Sequence, residues 1–123
     1  MTLKNKLAGG DYSFLRVTVG AGASLSGAIE LNGGEIVGFV VPTWDSAALS
    51  FQASNDNGTY RDVYDKDGTT ETKTGASTGN RFIAAPDGIQ RGYPWIKIRS
   101  GLTAAAVNQT NATTITIVMR SLA

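Results

Sequence analysis

The first feature of the sequence that could do chemistry is a cluster of carboxylates in the middle of the chain: Asp56, Asp62, Asp65, Asp67 and Glu71. Hard oxygen ligands of this type bind Ca²⁺ in proteins. Two carboxylates that face each other across a cleft, such as Asp62 with Asp65 or Glu71, can also hydrolyse a glycosidic bond. A calcium site between two loops and a carboxylate-based hydrolase are therefore both open interpretations of this stretch.

The same stretch is also typical of β-hairpin turns. The dipeptides NG at 57–58 and DG at 67–68 are among the strongest hairpin turn signals. An EF-hand loop has glycine at its sixth position, and with Gly68 there the first ligand would be Val63 and the twelfth would be Thr74. Neither residue supplies a carboxylate, so we favour turns over a calcium site.

The residue types that are absent restrict the function further. The chain of 123 residues has no cysteine and no histidine, which excludes disulfides, thiolate or imidazole metal sites, and a nucleophile activated by histidine. Its 11 basic and 10 acidic residues give a net charge of +1, so no overall field attracts nucleic acid. No window approaches the roughly 20 apolar residues of a membrane helix. We expect a non-enzymatic protein without a cofactor that binds neither nucleic acid nor membranes.

Alternation of apolar and polar residues predicts the elements that position these side chains. It recurs between turn signals at 13–19, 25–31, 49–53, 60–64, 71–74, 81–84, 95–99 and 113–120. The apolar run 36–41 is typical of a strand covered on both faces, and only 46–49 and 86–90 could hold a helical turn. The sequence predicts an all-β domain over residues 13–123, an antiparallel β-sandwich or jelly roll of about eight or nine short strands. Residues 1–12 are predicted to form an extended N-terminal arm.

The predicted arm carries four residues suited to holding a neighbouring molecule: Leu3, Lys4, Lys6 and Leu7. The two leucines are its sizeable apolar side chains, and the glycines at 9–10 loosen its junction to the domain. We expect the leucines to anchor the arm on another subunit or protein, and the lysines to meet an acidic surface.

A second candidate contact lies in the segment 91–99, whose sequence is RGYPWIKIR. Tyr93 and Trp95 could stack on a sugar ring or a base while Arg99 binds hydroxyl or phosphate oxygens. The simpler interpretation, which we favour, is that Trp95 packs on a sheet face and the aliphatic part of Arg99 lies over it.

Several short motifs follow one another between 42 and 120: PTW at 42–44, ALSFQAS at 48–54, GTY at 58–60, VYD at 63–65, DG at 67–68, WIKIRSG at 95–101 and VNQ at 107–109. In this order they resemble a family of small tailed-phage and prophage proteins that accompany virion structural genes. The pattern is also similar to the strand pattern of galactose-binding-like (discoidin-type) β-sandwiches, whose loops at one end can bind sugars. Neither resemblance implies a catalytic residue.

The first resemblance implies a bacteriophage virion structural protein, and within that class we expect a capsid decoration (cement) protein or a head-fibre base. Such a protein acts as a homo-oligomer, for which we expect a homotrimer. Its partners are copies of itself and the major capsid protein or other virion proteins, and its location is the virion, assembled in the host cytoplasm. The alternative is a carbohydrate-binding module of a phage tail or fibre that recognises the host surface.

Overall fold

The computed structural model describes residues 11–91 and 93–121 and arranges them in two antiparallel sheets. Within these residues the elements, in chain order, are β1 (Tyr12–Val19), β2 (Ile29–Glu30), β3 (Glu35–Ala47), β4 (Leu49–Ser54), β5 (Arg61–Asp62), β6 (Ser77–Ala84), α1 (Asp87–Gln90), β7 (Trp95–Leu102), β8 (Ala105–Ala106) and β9 (Thr113–Arg120). One sheet has the strand order β1-β9-β3-β6. The other has the order β2-β7-β4-β5, with β8 beside β7. The antiparallel β-sandwich predicted from the sequence is confirmed.

The core lies between the sheets and consists of the inward side of each alternating strand. Phe39 of β3 and Phe51 of β4 come from different sheets and stack with their ring centroids 5.4 Å apart. Both rings are fully buried, as is Leu49 on the same face as Phe51. Each such side chain contributes about 1.5–3 kcal/mol by leaving water. The period-two pattern therefore identified the core side of β4 correctly.

The two predicted hairpin turns are present. Gln52 pairs with Asp62 across the turn that contains Asn57, whose φ is 58°. Tyr64 bridges Glu71 across the second turn, in which φ of Gly68 is +76°. Positive φ is the conformation that Asn and Gly tolerate best, which explains why the two dipeptides predicted these turns.

Four other local predictions have mixed outcomes. The helical turn at 86–90 is confirmed as α1, but the one at 46–49 is wrong, because β3 extends to Ala47 and pairs there with Ser77 of β6. The run 36–41 is not covered on both faces, since Val40 is 40% exposed. The segment 71–74 forms only isolated bridges, at Glu71 and at Lys73.

The two ends of the described chain meet at one corner of the four-stranded sheet. β1 pairs with β9 along its full length, from Tyr12 opposite Arg120 to Val19 opposite Thr113. The paired strand thus begins one residue before the predicted domain boundary. The four candidate arm residues, Leu3, Lys4, Lys6 and Leu7, lie outside the described residues. No helix in the described part of the chain is long and apolar enough to cross a membrane.

Candidate functional site

The carboxylates at the two hairpin tips cap their own turns. Asp56 Oδ1 accepts hydrogen bonds from the backbone N–H groups of Gly58 (2.8 Å) and Thr59 (3.0 Å) and from the Ser54 hydroxyl (2.9 Å). These bonds, led by the one from Gly58, lower the pKa of Asp56. The carboxylate therefore acts as the acceptor that closes the turn.

Asp67 has the same role in the second turn. It accepts the N–H groups of Thr69 and Thr70, both at 2.8 Å, and the Thr70 hydroxyl at 2.5 Å. The Thr70 hydroxyl is the largest of the influences that lower the pKa of Asp67 to about 2. Within residues 11–91 and 93–121, no group of three or more acidic side chains is placed to hold a metal ion.

Two of the three carboxylates considered for hydrolysis, Asp62 and Glu71, bind the same buried arginine, Arg99. Arg99 Nη2 lies 2.6 Å from Asp62 Oδ1, and Nη1 lies 3.4 Å from Glu71 Oε2. Nη1 also donates to the hydroxyls of Thr103 (2.9 Å) and Ser50 (3.3 Å). This set is called the Arg99 network below. It joins β4, β5 and β7 to the segment that contains Glu71.

Burial and hydrogen bonding shift the pKa of Asp62 in opposite directions. Burial raises the pKa of this carboxyl, but the hydrogen bond from Arg99, the amide of Gln52 and the Arg99 charge together outweigh it, so the pKa lies below its usual range. A glycosidase acid has the opposite property, a raised pKa that keeps its proton near neutral pH. The third candidate, Asp65, accepts the Thr72 hydroxyl at 2.6 Å. The geometry thus favours a structural role for these acids.

The candidate contact residues of 91–99 are not brought together as one exposed set. Arg99 is 8% exposed and engaged in its network. Trp95 is half-buried in β7, between Glu30 of β2 and Ser54 of β4. Tyr93 is also half-buried and donates its hydroxyl to the Gly88 carbonyl at 3.0 Å.

Tyr93 nevertheless lines a shallow groove of about 180 Å³. The groove is bounded by Ala53, Ser54, Asn55, Thr59, Arg61, Tyr93 and Pro94. Tyr60 lies in sequence between the lining residues Thr59 and Arg61, and the Lys97 ammonium is 4.4 Å from the centre of its ring, a cation–π contact. An aromatic ring, an amide and a cation at one open groove are groups that can bind a sugar.

A larger groove, of about 530 Å³, lies between the second hairpin and α1. Its charged lining residues are Asp65, Lys66, Glu71, Lys73 and Asp87. The mixture of three carboxylates and two ammonium groups favours neither an anion nor a cation, and no aromatic ring lines it. This groove presents no chemistry that selects a ligand class.

The outer side of the four-stranded sheet carries large apolar side chains among polar ones such as Arg16, Thr18 and Thr116. Across the strands, Phe14 of β1 is opposite Val118 of β9, which is opposite Gly38 of β3. In the next row, Val40 of β3 is flanked by Thr116 of β9 and Phe82 of β6. Opposite residues of neighbouring strands project from the same side of a sheet. We call this surface the apolar face: Tyr12, Phe14, Gly38, Val40, Phe82 and Val118.

The exposure of the apolar face is unusual for a monomer surface. Phe14 is 57% exposed, Phe82 58% and Tyr12 58%, although Val17 and Val19 on the inward side of β1 are buried. The ring of Phe82 packs on the backbone of Gly38, where a Cβ atom would lie 2.5 Å from the ring. Contiguous apolar patches of this kind mark interaction sites.

Sequence reasoning missed the apolar face, although a signal for it was present. In β1 the buried Val17 and Val19 set the inward phase, and Phe14 is out of phase with them. In β6 the partly buried Ile83 packs on the core, which leaves its neighbour Phe82 on the outer side. A large aromatic residue in the polar phase of an alternating strand is therefore the feature to seek.

No protein-family model, no curated protein and no solved structure matches this chain.

Proposed function

We propose that this chain is a non-enzymatic bacteriophage virion structural protein, most specifically a capsid decoration (cement) protein that stabilises the head as a homo-oligomer. The observation that carries the proposal is the apolar face. A small β-sandwich that exposes three aromatic rings on one sheet is suited to contact with other protein surfaces. The motif resemblance over 42–120 supplies the virion context.

The state of the polar groups also supports an adhesive role. The carboxylates of Asp56 and Asp67 cap turns, and Asp62 and Glu71 bind Arg99. Groups held in this way contribute to a rigid domain. Rigid domains that repeat around a shell convert weak single contacts into strong overall binding.

In this proposal the partners are other copies of the chain and the major capsid protein or another virion protein. The arm residues Leu3 and Leu7 anchor on the partner, and Lys4 and Lys6 meet its acidic surface. The protein is assembled into virions in the host cytoplasm. A homotrimer is the oligomer we expect.

The test is to purify particles from the organism that encodes the chain and to quantify the chain against the coat protein by mass spectrometry. We expect a fixed copy number per coat subunit, and heads that lack the chain should release DNA at a lower temperature. The variant that lacks residues 1–10 should fold but bind heads more weakly. Absence of the chain from purified particles would contradict the proposal.

A second candidate function is a carbohydrate-binding module of a phage tail or fibre. The observation that favours it is the groove beside Tyr93, with Asn55 and Arg61 on its walls. A glycan array, run with and without calcium, should then show a sugar whose binding is lost in Tyr93→Ala but retained in Tyr64→Ala, an exposed tyrosine outside the groove. An array without signal in both conditions removes this candidate.

A further inference from the structure

We propose that the apolar face is covered by the apolar face of another copy of this chain. The inference deepens the proposed function, on which its biological meaning rests, by naming the partner of one surface. The test of this inference needs no virion, so the inference and the proposed function can fail separately.

The size of the face fits a contact between identical chains. Four strands at about 4.8 Å spacing and eight residues at about 3.3 Å rise give the whole outer side of this sheet, which contains the apolar face, a size of roughly 19 by 26 Å, or about 500 Å². Two such sides in full contact bury about 1,000 Å² in total, which is close to the lower bound for a specific interface. A single residue or short peptide could not cover this area.

The arrangement of side chains fits sheet-on-sheet packing. Phe14 and Phe82 lie on the two edge strands of the sheet. The Phe82 ring, which lies over Gly38, and the Phe14 ring, opposite Val118, are both exposed. Sheets pack with side chains of the two faces interdigitated, at a distance of about 10 Å. The exposed Phe14 and Phe82 rings and Val40 of one copy can pack in this way against the same residues of the other.

The charges near the face permit association of identical copies. Arg120 is neutralised by Glu35, whose Oε1 lies 3.1 Å from its Nη2. Arg16, opposite Thr116 on the edge strand β1, is exposed and projects from the same side of the sheet as the apolar face. The chain as a whole carries a net charge of only +1, so repulsion between copies is weak. A partner that is strongly acidic, such as a nucleic acid or an anionic membrane, is not favoured by this nearly neutral surface.

Light scattering coupled to gel filtration tests the inference on the full chain. We expect the mass of two chains, or of an even multiple of chains, at high micromolar concentration, because a contact between identical faces pairs the copies two by two. In the double variant Phe14→Ser/Phe82→Ser, the dissociation constant of the oligomer should rise by about a hundredfold or more. Each copy of the variant lacks two rings that the contact between copies would bury. Both positions are exposed in the single chain, so the variant should keep the circular dichroism spectrum of the parent. Tyr64→Ser is the matched control, since Tyr64 is 44% exposed but lies outside the face, and its mass should not change.

A thiol probe gives an independent readout because the chain has no cysteine of its own. In Thr116→Cys, at the centre of the face, reaction with a maleimide should slow as the protein concentration rises. In Thr69→Cys, at a hairpin tip, the rate should stay constant.

A monomer at all concentrations overturns the inference, as does an oligomer whose mass is insensitive to Phe14→Ser/Phe82→Ser. If deletion of residues 1–10 converts a monomer into an oligomer, the chain's own N-terminal segment covers the face and the inference is also overturned. A chain that is monomeric in solution yet present in virions would refute this inference alone. An oligomer that is absent from virions would refute only the proposed function.

Discussion

Replacing Arg99 by methionine tests whether the Arg99 network is structural. The change keeps most of the aliphatic length but removes the group that binds Asp62 and Glu71. Removing one partner of a buried ion pair costs about 3–5 kcal/mol. Because the Asp62 side chain is 24% exposed and water can reach it, we expect a loss of about 2–3 kcal/mol in the free energy of unfolding. For a domain of this size the melting temperature should fall by about 10 °C.

The loss should depend on pH in a defined direction. The pKa of Asp62 is lowered in the folded protein, so its contribution to stability is present above the unfolded pKa, about 3.9, and is lost as the pH falls through the folded value. The difference between the parent and Arg99→Met should therefore shrink as the pH is lowered from about 7 to about 3.

Urea unfolding at both pH values, followed by tryptophan fluorescence, provides the measurement. Arg61→Met is the matched control because it removes the same charge from an exposed position in β5, and its effect should stay within about 0.5 kcal/mol. If Arg99→Met and Arg61→Met are equally mild near neutral pH, or if the loss at Arg99 is independent of pH, the network does not stabilise the fold as argued.

Two further predictions concern local structure. Gly79→Ala should destabilise the fold by about 3 kcal/mol, because φ there is +95° and the new Cβ would lie 2.2 Å from the Pro42 carbonyl oxygen. Gly27→Ala is the control, since a Cβ there has nothing within 4 Å, and it should change the free energy of unfolding in urea little. Equal losses in the two variants would contradict this prediction. Thr70→Val should raise the pKa of Asp67 from about 2 towards 3.8 in a carboxyl NMR titration, since the hydrogen bond from the Thr70 hydroxyl is the largest influence that lowers this pKa. The stabilisation by this carboxylate is lost as the pH falls towards about 2, and an unchanged titration midpoint in Thr70→Val would refute the assignment.

The features that the sequence predicted correctly are those determined by neighbours along the chain. The burial of Leu49 and Phe51 follows from the two-residue period of a strand. The turns at Asn57 and Gly68 follow from the few residue types that adopt positive φ. These are local effects, and they fix the fold class without any knowledge of which strands pair.

The features that the sequence did not predict depend on distant pairing. Arg99 lies 37 residues from Asp62 and 28 from Glu71 along the chain. The residues next to Arg99 in the sequence do not indicate these partners, and they also allowed an exposed ligand-binding role for its side chain. Its burial arises because the segment after β5 folds back onto the five-stranded sheet, where Lys73 bridges Ser50. The extent of the apolar face likewise depends on the pairing that places Phe14 and Phe82, which are far apart in the sequence, in one sheet.

The adjacency of β1 and β9 has a mechanical consequence. Ser121 donates its N–H to the Asp11 carbonyl at 2.7 Å, beside the first pair of the ladder, Tyr12 with Arg120. A force that separates Asp11 from Ser121 therefore acts on the hydrogen bonds between these antiparallel strands one after another, starting at this end. It does not load all of them together. Separating Asp11 from Ser121 therefore requires the pairs of β1 and β9 to open in order, from Tyr12 with Arg120 to Val19 with Thr113.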